Sequence, residues 1–147
     1  MKSFAAISAI FLAAASTAAA QTSGLKLVPL TVKHLSNTKK TSINFTVQDL
    51  NGAAYTTCQH EWNLEEVIDS NKQWACTDPN FTFSFPEPIT DVESFNFIVS
   101  HNAVDYQAIL NSHAGTPVYV CKTLAVQIGT ETTCRIPQGS DIIAQDI

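Results

Sequence analysis

Hydrophobic and polar positions alternate at period two through much of this chain, most clearly in Phe81-Thr82-Phe83-Ser84-Phe85. Side chains of a strand point alternately to its two faces, so the Phe share one face while Thr82 and Ser84 share the other. A helix would scatter those rings, and aromatic residues favour strands, so the stretch is predicted as a strand near the centre of the core. Asp78-Pro79-Asn80 is the turn that launches it. Cys76 stands just before that turn, where a crosslink would anchor one end of the strand.

The same pattern extends along the chain. Leu25, Leu27, Val28, Leu30 and Val32 predict an early strand interrupted by Pro29, which lacks a ladder donor and so marks an edge strand or a bulge. After a polar loop from Ser36 to Ser42, Ile43, Phe45 and Val47 alternate with Asn44, Thr46 and Gln48. Asn51-Gly52 reads as a hairpin turn of the type that accepts positive φ, returning through a strand from Ala53 to Trp62. Leu64-Glu65-Glu66-Val67-Ile68, with Asn63 as cap, suits at most one short helical turn. Pro86-Glu87-Pro88 forces a break after the Phe strand. Further strands are predicted through Phe95, Phe97 and Val99, and through Val104, Tyr106 and Ala108 after a turn at His101-Asn102. Two short ones follow, at Val118 to Cys121 and through Leu124, Val126 and Ile128 before Gly129. The last predicted strand is Cys134 to Ile136. Short strands with turn signals and almost no helical period argue an all-β fold, a compact antiparallel β-barrel or β-sandwich.

Residues 1–20 read differently. Lys2, an apolar run from Phe4 to Ala15, and Ala18-Ala19-Ala20 before Gln21 form a secretory signal peptide with its cleavage site. The run is too short and too rich in Ala and Ser for a membrane anchor. Residues 21–147 then make a single exported domain of 127 residues, with no second stretch able to span a bilayer. Without Lys2, 7 basic residues face 13 acidic ones, a net charge of −6. The basic residues are scattered, so no stripe for nucleic acid is evident and polyanion binding is not expected.

An even count of cysteines in an exported chain implies disulfides. Cys58, Cys76, Cys121 and Cys134 allow three pairings, among which sequence alone does not choose. We favour Cys58–Cys76 and Cys121–Cys134, because each pair brackets one local excursion between strands. Structural zinc is disfavoured, since no Cys pair has the short spacing it prefers. Two sequons, Asn44-Phe45-Thr46 and Asn80-Phe81-Thr82, make Asn44 and Asn80 glycosylation candidates. His34, His60, His101 and His113 show no metal-ligand or catalytic spacing, and no cofactor or metal is expected. Glu61, Glu65, Glu66 and Asp69 gather near the possible helical turn, as clustered acids of a solvated loop commonly do. Neither a G-x-S-x-G motif nor a phosphate-binding loop is present, so catalysis has no support. Tyr55, Trp62 and Phe97 are candidates to line a small apolar ligand site, against the plainer role of core and rim packing.

Asn51-Gly52, Cys58, Trp74-x-Cys76, the Phe81 to Phe85 strand and the late pair Cys121 and Cys134 together resemble a family of fungal secreted proteins named for the Alternaria major allergen. The likeness implies a β-barrel or sandwich with two intrachain disulfides in the pairing already favoured. It implies an exported, extracellular protein, allergen-like, acting as an effector or elicitor of plant defence, with virulence and plant immunity as its setting. Flavonoid binding is reported for some of the family, and there are no catalytic residues to carry over. The allergen's additional N-terminal cysteine, which joins two subunits, has no counterpart in residues 21–57, so a monomer without covalent dimerisation is expected. The leading expectation is therefore a non-enzymatic secreted protein that binds a host plant component. A carrier of a small flavonoid-like ligand comes second, and a small hydrolase using the Glu61 to Asp69 acids third.

Overall fold

The computed structural model describes residues 24–52, 54–64, 69–114, 118–137 and 140–147. The expected signal peptide, and residues 65–68 of the expected helical turn, lie outside the described residues. Those described contain ten strands and no helix: β1 (Leu25–Leu35), β2 (Lys40–Asp49), β3 (Tyr55–Asn63), β4 (Trp74–Ala75), β5 (Phe81–Ser84), β6 (Ser94–His101), β7 (Val104–Asn111), β8 (Val120–Ala125), β9 (Thr130–Arg135) and β10 (Ile142–Asp146). In the order β3-β2-β1-β10-β7-β6-β5-β4 they form a nearly closed antiparallel barrel of eight strands. The β8–β9 hairpin is added outside it, through pairing of β9 with β1. Of the two expected architectures, barrel and sandwich, the chain adopts the barrel.

The seam of the barrel closes between β3 and the β4–β5 segment by side chains and turns. Cys58 and Cys76 are bridged there, with Cα atoms 4.3 Å apart. Thr77 N–H donates to Thr57 O at 2.9 Å, and Asp78 N–H donates to Thr56 Oγ1 at 2.8 Å. The launching turn of the Phe strand is thus also the clasp of the barrel. Phe81, Phe83 and Phe85 are fully buried, as their alternation predicts. Phe45 of β2 meets Phe83 edge-on at 5.2 Å and Phe97 of β6 at 5.0 Å. Aromatic centroids at these separations are in contact, so rings fill the interior where β2 faces β5 and β6. Ser84 is buried too, which alternation does not predict.

Pro29 sits on an internal bulge, not on an edge strand. Leu25 and Leu27 point inward, and so do Leu30 and Val32, so the inward phase shifts by one residue. An extra residue is what rephases a strand of period two. The register of β1 on β2 shifts between Leu27 and Leu30 at this point. On its other side β1 pairs with β10 at Leu25–Leu27 and with β9 at Thr31–Leu35. The exposed proline, after a cis peptide bond, occupies the place where one neighbour gives way to the next.

Other expectations shift. The predicted pair of strands at Val118–Cys121 and Leu124–Ile128 is one strand, β8, and a turn. Val126 N–H donates to Gly129 O at 3.2 Å, closing a four-residue turn that contains Val126 and Ile128. Gly129 has φ +91°, and a Cβ there would lie 2.6 Å from Ser36 Oγ. The polar loop after β1 is shorter than expected, since Thr41 and Ser42 already belong to β2. The β2–β3 hairpin forms where Asn51-Gly52 predicts one, yet neither residue takes positive φ. Instead the Asp49 carboxylate accepts from Asn51 N–H at 2.8 Å. Between β6 and β7 the turn is Asn102-Ala103, both left-handed, one residue later than predicted. β10, whose sequence shows no clear alternation, places Ile142 and Ala144 in the core between β1 and β7.

Candidate functional site

The described inward side chains pack into the core, and the outer faces carry most of the described polar and charged groups. The broadest is the outer face of β3, β2, β1, β9 and β8. Register makes its rows. Glu61, Ser42, Lys33, Thr133 and Lys122 are successive cross-strand neighbours. The next row is Gln59, Asn44, Thr31, Arg135 and Val120, and on the other side lies Asn63, Lys40, Leu35, Glu131 and Leu124. Lys33, Lys40, Lys122 and Arg135 are exposed, and none of them makes an ion pair among the described residues. Lys26, on the same sheet, is instead bound to Asp141 at 2.7 Å.

Two hollows interrupt this face. One of about 460 Å³ is lined by Ser42, Ile43, Asn44, Gln59, His60 and Glu61. The other, about 430 Å³, opens beside the Pro29 bulge, with Thr31, Arg135 and Pro137 among its lining. They adjoin across the Thr31–Asn44 pair. Cys121–Cys134 is a directly opposed cross-strand pair that ties β8 to β9 at the margin of this face. Val120, Leu124, Val126 and Ile128 stay exposed on that hairpin.

A second feature lies along the seam. The His60 ring stacks against Trp62 and lies 4.3 Å from the Trp74 ring, and both Trp rings rest on Phe85. The Nε1–H groups of Trp62 and Trp74 are both buried with no hydrogen-bond acceptor among the described residues. An unsatisfied buried donor costs about 1–3 kcal/mol.

The sequence-predicted site residues do not assemble into one site. Tyr55 is 73% exposed on the outer face, whereas Phe97 is fully buried among Phe45 and Phe95 and Trp62 is 95% buried. The three therefore do not line a common cavity, because strand parity sends Tyr55 outward and Trp62 inward. Trp62 borders a notch of about 170 Å³ with Lys40, Glu61 and Asn63. Asn44 is exposed on the outer face. Asn80 is exposed in the turn, its Nδ2 donating to Asp78 Oδ1 at 2.9 Å. The cysteines pair Cys58–Cys76 and Cys121–Cys134, as favoured.

Histidines and acids are dispersed. His34 bonds Thr41 at 3.0 Å, and the buried His101 stacks on Phe81 at 3.8 Å, with Asp49 3.7 Å away. His113 is exposed beside Asp91 and Glu93. Glu61 is exposed, Asp69 accepts from Asn71 N–H at 2.9 Å, and Glu65 and Glu66 lie outside the described residues. Among the described residues no group of three His, Cys, Asp or Glu could hold a metal ion. No described helix is long and apolar enough to cross a membrane. Among the described residues the strongly perturbed titratable group is Tyr119. Burial, then Asp91 and Glu93, push its hydroxyl well above the usual phenol range while it donates to Val92 O at 2.8 Å.

The fold is similar to that of the Alternaria alternata allergen Alt a 1. The superposition covers 86% of this chain and 88% of that one, with a TM-score of 0.52 and 15% sequence identity. No protein-family model matches the chain, and no curated protein matches it. The likeness to Alt a 1 therefore lies in the barrel, and the outer-face residues have to be read on their own chemistry. Sequence reasoning missed this face because its cations come from four strands and meet only through register.

Proposed function

We propose that the chain is a secreted, non-enzymatic effector- or elicitor-like protein that binds a host plant component through its outer surface and triggers or modulates defence. The observation that carries the reading is the packed interior: Phe45, Phe83 and Phe97 meet inside the barrel with ring contacts of 5.0–5.2 Å. Recognition then belongs to the outside, which two disulfides hold in shape. The barrel shared with the Alternaria alternata allergen Alt a 1 supports the setting. A glycan at Asn80, which is exposed in its turn, belongs to the same reading, and a mass shift lost in Asn80→Gln checks it; Asn44 stands unglycosylated on the outer face in this reading. The functional test infiltrates purified protein into leaf tissue and reads the oxidative burst. A response at micromolar dose, lost when the disulfides are reduced, is expected; inert folded protein refutes the proposal.

A small-ligand carrier is the second reading, and the unpaired indole donors of Trp62 and Trp74 favour it. A flat flavonoid-like molecule offering oxygen acceptors at the seam would satisfy both. Tryptophan fluorescence titrated with a flavonoid tests this, and a flat titration rejects it.

A further inference from the structure

We propose that the outer face of β3, β2, β1, β9 and β8 binds a carboxylated polysaccharide, a polymer of uronate type; the proposal rests on the contact reading above and names its partner. The first ground is charge. Basic residues are outnumbered 8 to 13 in the whole sequence. Yet Lys33, Lys40, Lys122 and Arg135 converge on three adjacent rows that hold only Glu61 and Glu131 as acids. Glu131 is engaged locally, accepting from Thr133 Oγ1 at 3.1 Å. Lys33 and Lys122 share a row two strands apart, about 10 Å, and Arg135 is displaced by two residues along its strand, about 7 Å. Such spacings are close to the Debye length of about 8 Å, so the cations act together on a bound anion.

The second ground is what stands between them. Thr31, Ser42, Asn44, Gln59 and Thr133 offer hydroxyls and amides, and the two hollows flank the Thr31–Asn44 step. A protein partner would need apolar or aromatic anchors at the centre of the face, but Val120 and Leu124 stand at its β8 margin and Leu35, half-buried, at the end of β1. Whole-chain charge argues against polyanions, but register gathers these cations on one face; nucleic acid, with a charge about every 1.7 Å, is denser than such spaced cations match, and these rows present no aromatic platform for bases. A polyhydroxyl chain with one carboxylate per sugar matches spaced cations interleaved with hydroxyl and amide groups.

The test uses the exported chain and immobilised polygalacturonate. Wild-type protein is retained at low salt, released as salt rises, and passes through fully methyl-esterified polymer, which has the same backbone without the charge. Lys33→Gln, Lys122→Gln and Arg135→Gln combined weaken binding about tenfold, as three exposed charge contacts would. Lys26→Gln, removing an ion-paired cation of the same sheet, leaves binding unchanged. Should the triple variant melt early, Arg135→Gln alone carries the test at about twofold. Unchanged binding by the charge variants, equal loss in Lys26→Gln, equal retention on esterified polymer, or equal retention on dextran sulfate overturns the proposal. Protein that binds the polymer but leaves leaf tissue silent overturns the functional reading and keeps the site. Protein active on leaves that ignores the polymer removes the site alone.

Discussion

The two disulfides close loops of similar size and should nevertheless fail differently. Cys58 and Cys76 are separated by 18 positions and Cys121 and Cys134 by 13. The chain-entropy model gives each about 3 kcal/mol. Cys58–Cys76, however, stands where the barrel has no strand ladder, beside the Thr77 N–H to Thr57 O bond. Cys121–Cys134 joins strands that already pair along their whole length, and β8 is exposed almost throughout. Cys58→Ala with Cys76→Ala should therefore destabilise the whole barrel by about 3 kcal/mol, a large part of the roughly 5–15 kcal/mol of a domain. With a urea slope near 2 kcal/mol/M, the midpoint falls by about 1.5 M. Native-state hydrogen exchange should show Thr77 N–H opening first. Cys121→Ala with Cys134→Ala should mainly release β8 amides, lowering the global midpoint by less than half as much. Equal midpoints for the two variants, or a seam variant within about 0.3 M of wild type, would refute the reasoning that the first bridge closes the barrel.

Three further outcomes follow from local geometry. Ala103 is held at φ +61° in the β6–β7 turn, so Ala103→Gly should raise stability by about 1 kcal/mol, read as a higher melting temperature. Phe83→Ala should cost about 3–5 kcal/mol in urea unfolding, because the ring contacts Phe45, Trp74 and Phe85 at 5.2–5.9 Å. Tyr119 keeps its proton in the fold above the pH at which an unfolded tyrosine, near 10, loses it. Its contribution is therefore complete below pH 10 and fades above it, by about 1.4 kcal/mol per pH unit, and Tyr119→Phe should flatten the alkaline fall in urea midpoint.

Local pattern alone determined much of this protein. Period-two alternation is written into neighbouring residues, so Phe81, Phe83 and Phe85 declare a buried face, and Ile43, Phe45 and Val47 another, before any partner strand is known. Pro29 likewise announces a break, since a missing donor is a property of the residue. What alternation omits is the neighbour. Whether Pro29 lay at an edge or inside a bulge depended on β10 and β9 taking turns beside β1, and β10 itself carries two consecutive isoleucines that hide its phase. The apolar alternation of Leu124, Val126 and Ile128 looked like burial but stays in water, because Gly129 turns the chain outside the barrel. The outer face was illegible for the same reason. Thr31, Asn44, Gln59, Val120 and Arg135 become one row only through hydrogen-bond register, a long-range relation decided by tertiary packing, as was the gathering of thinly spread cations.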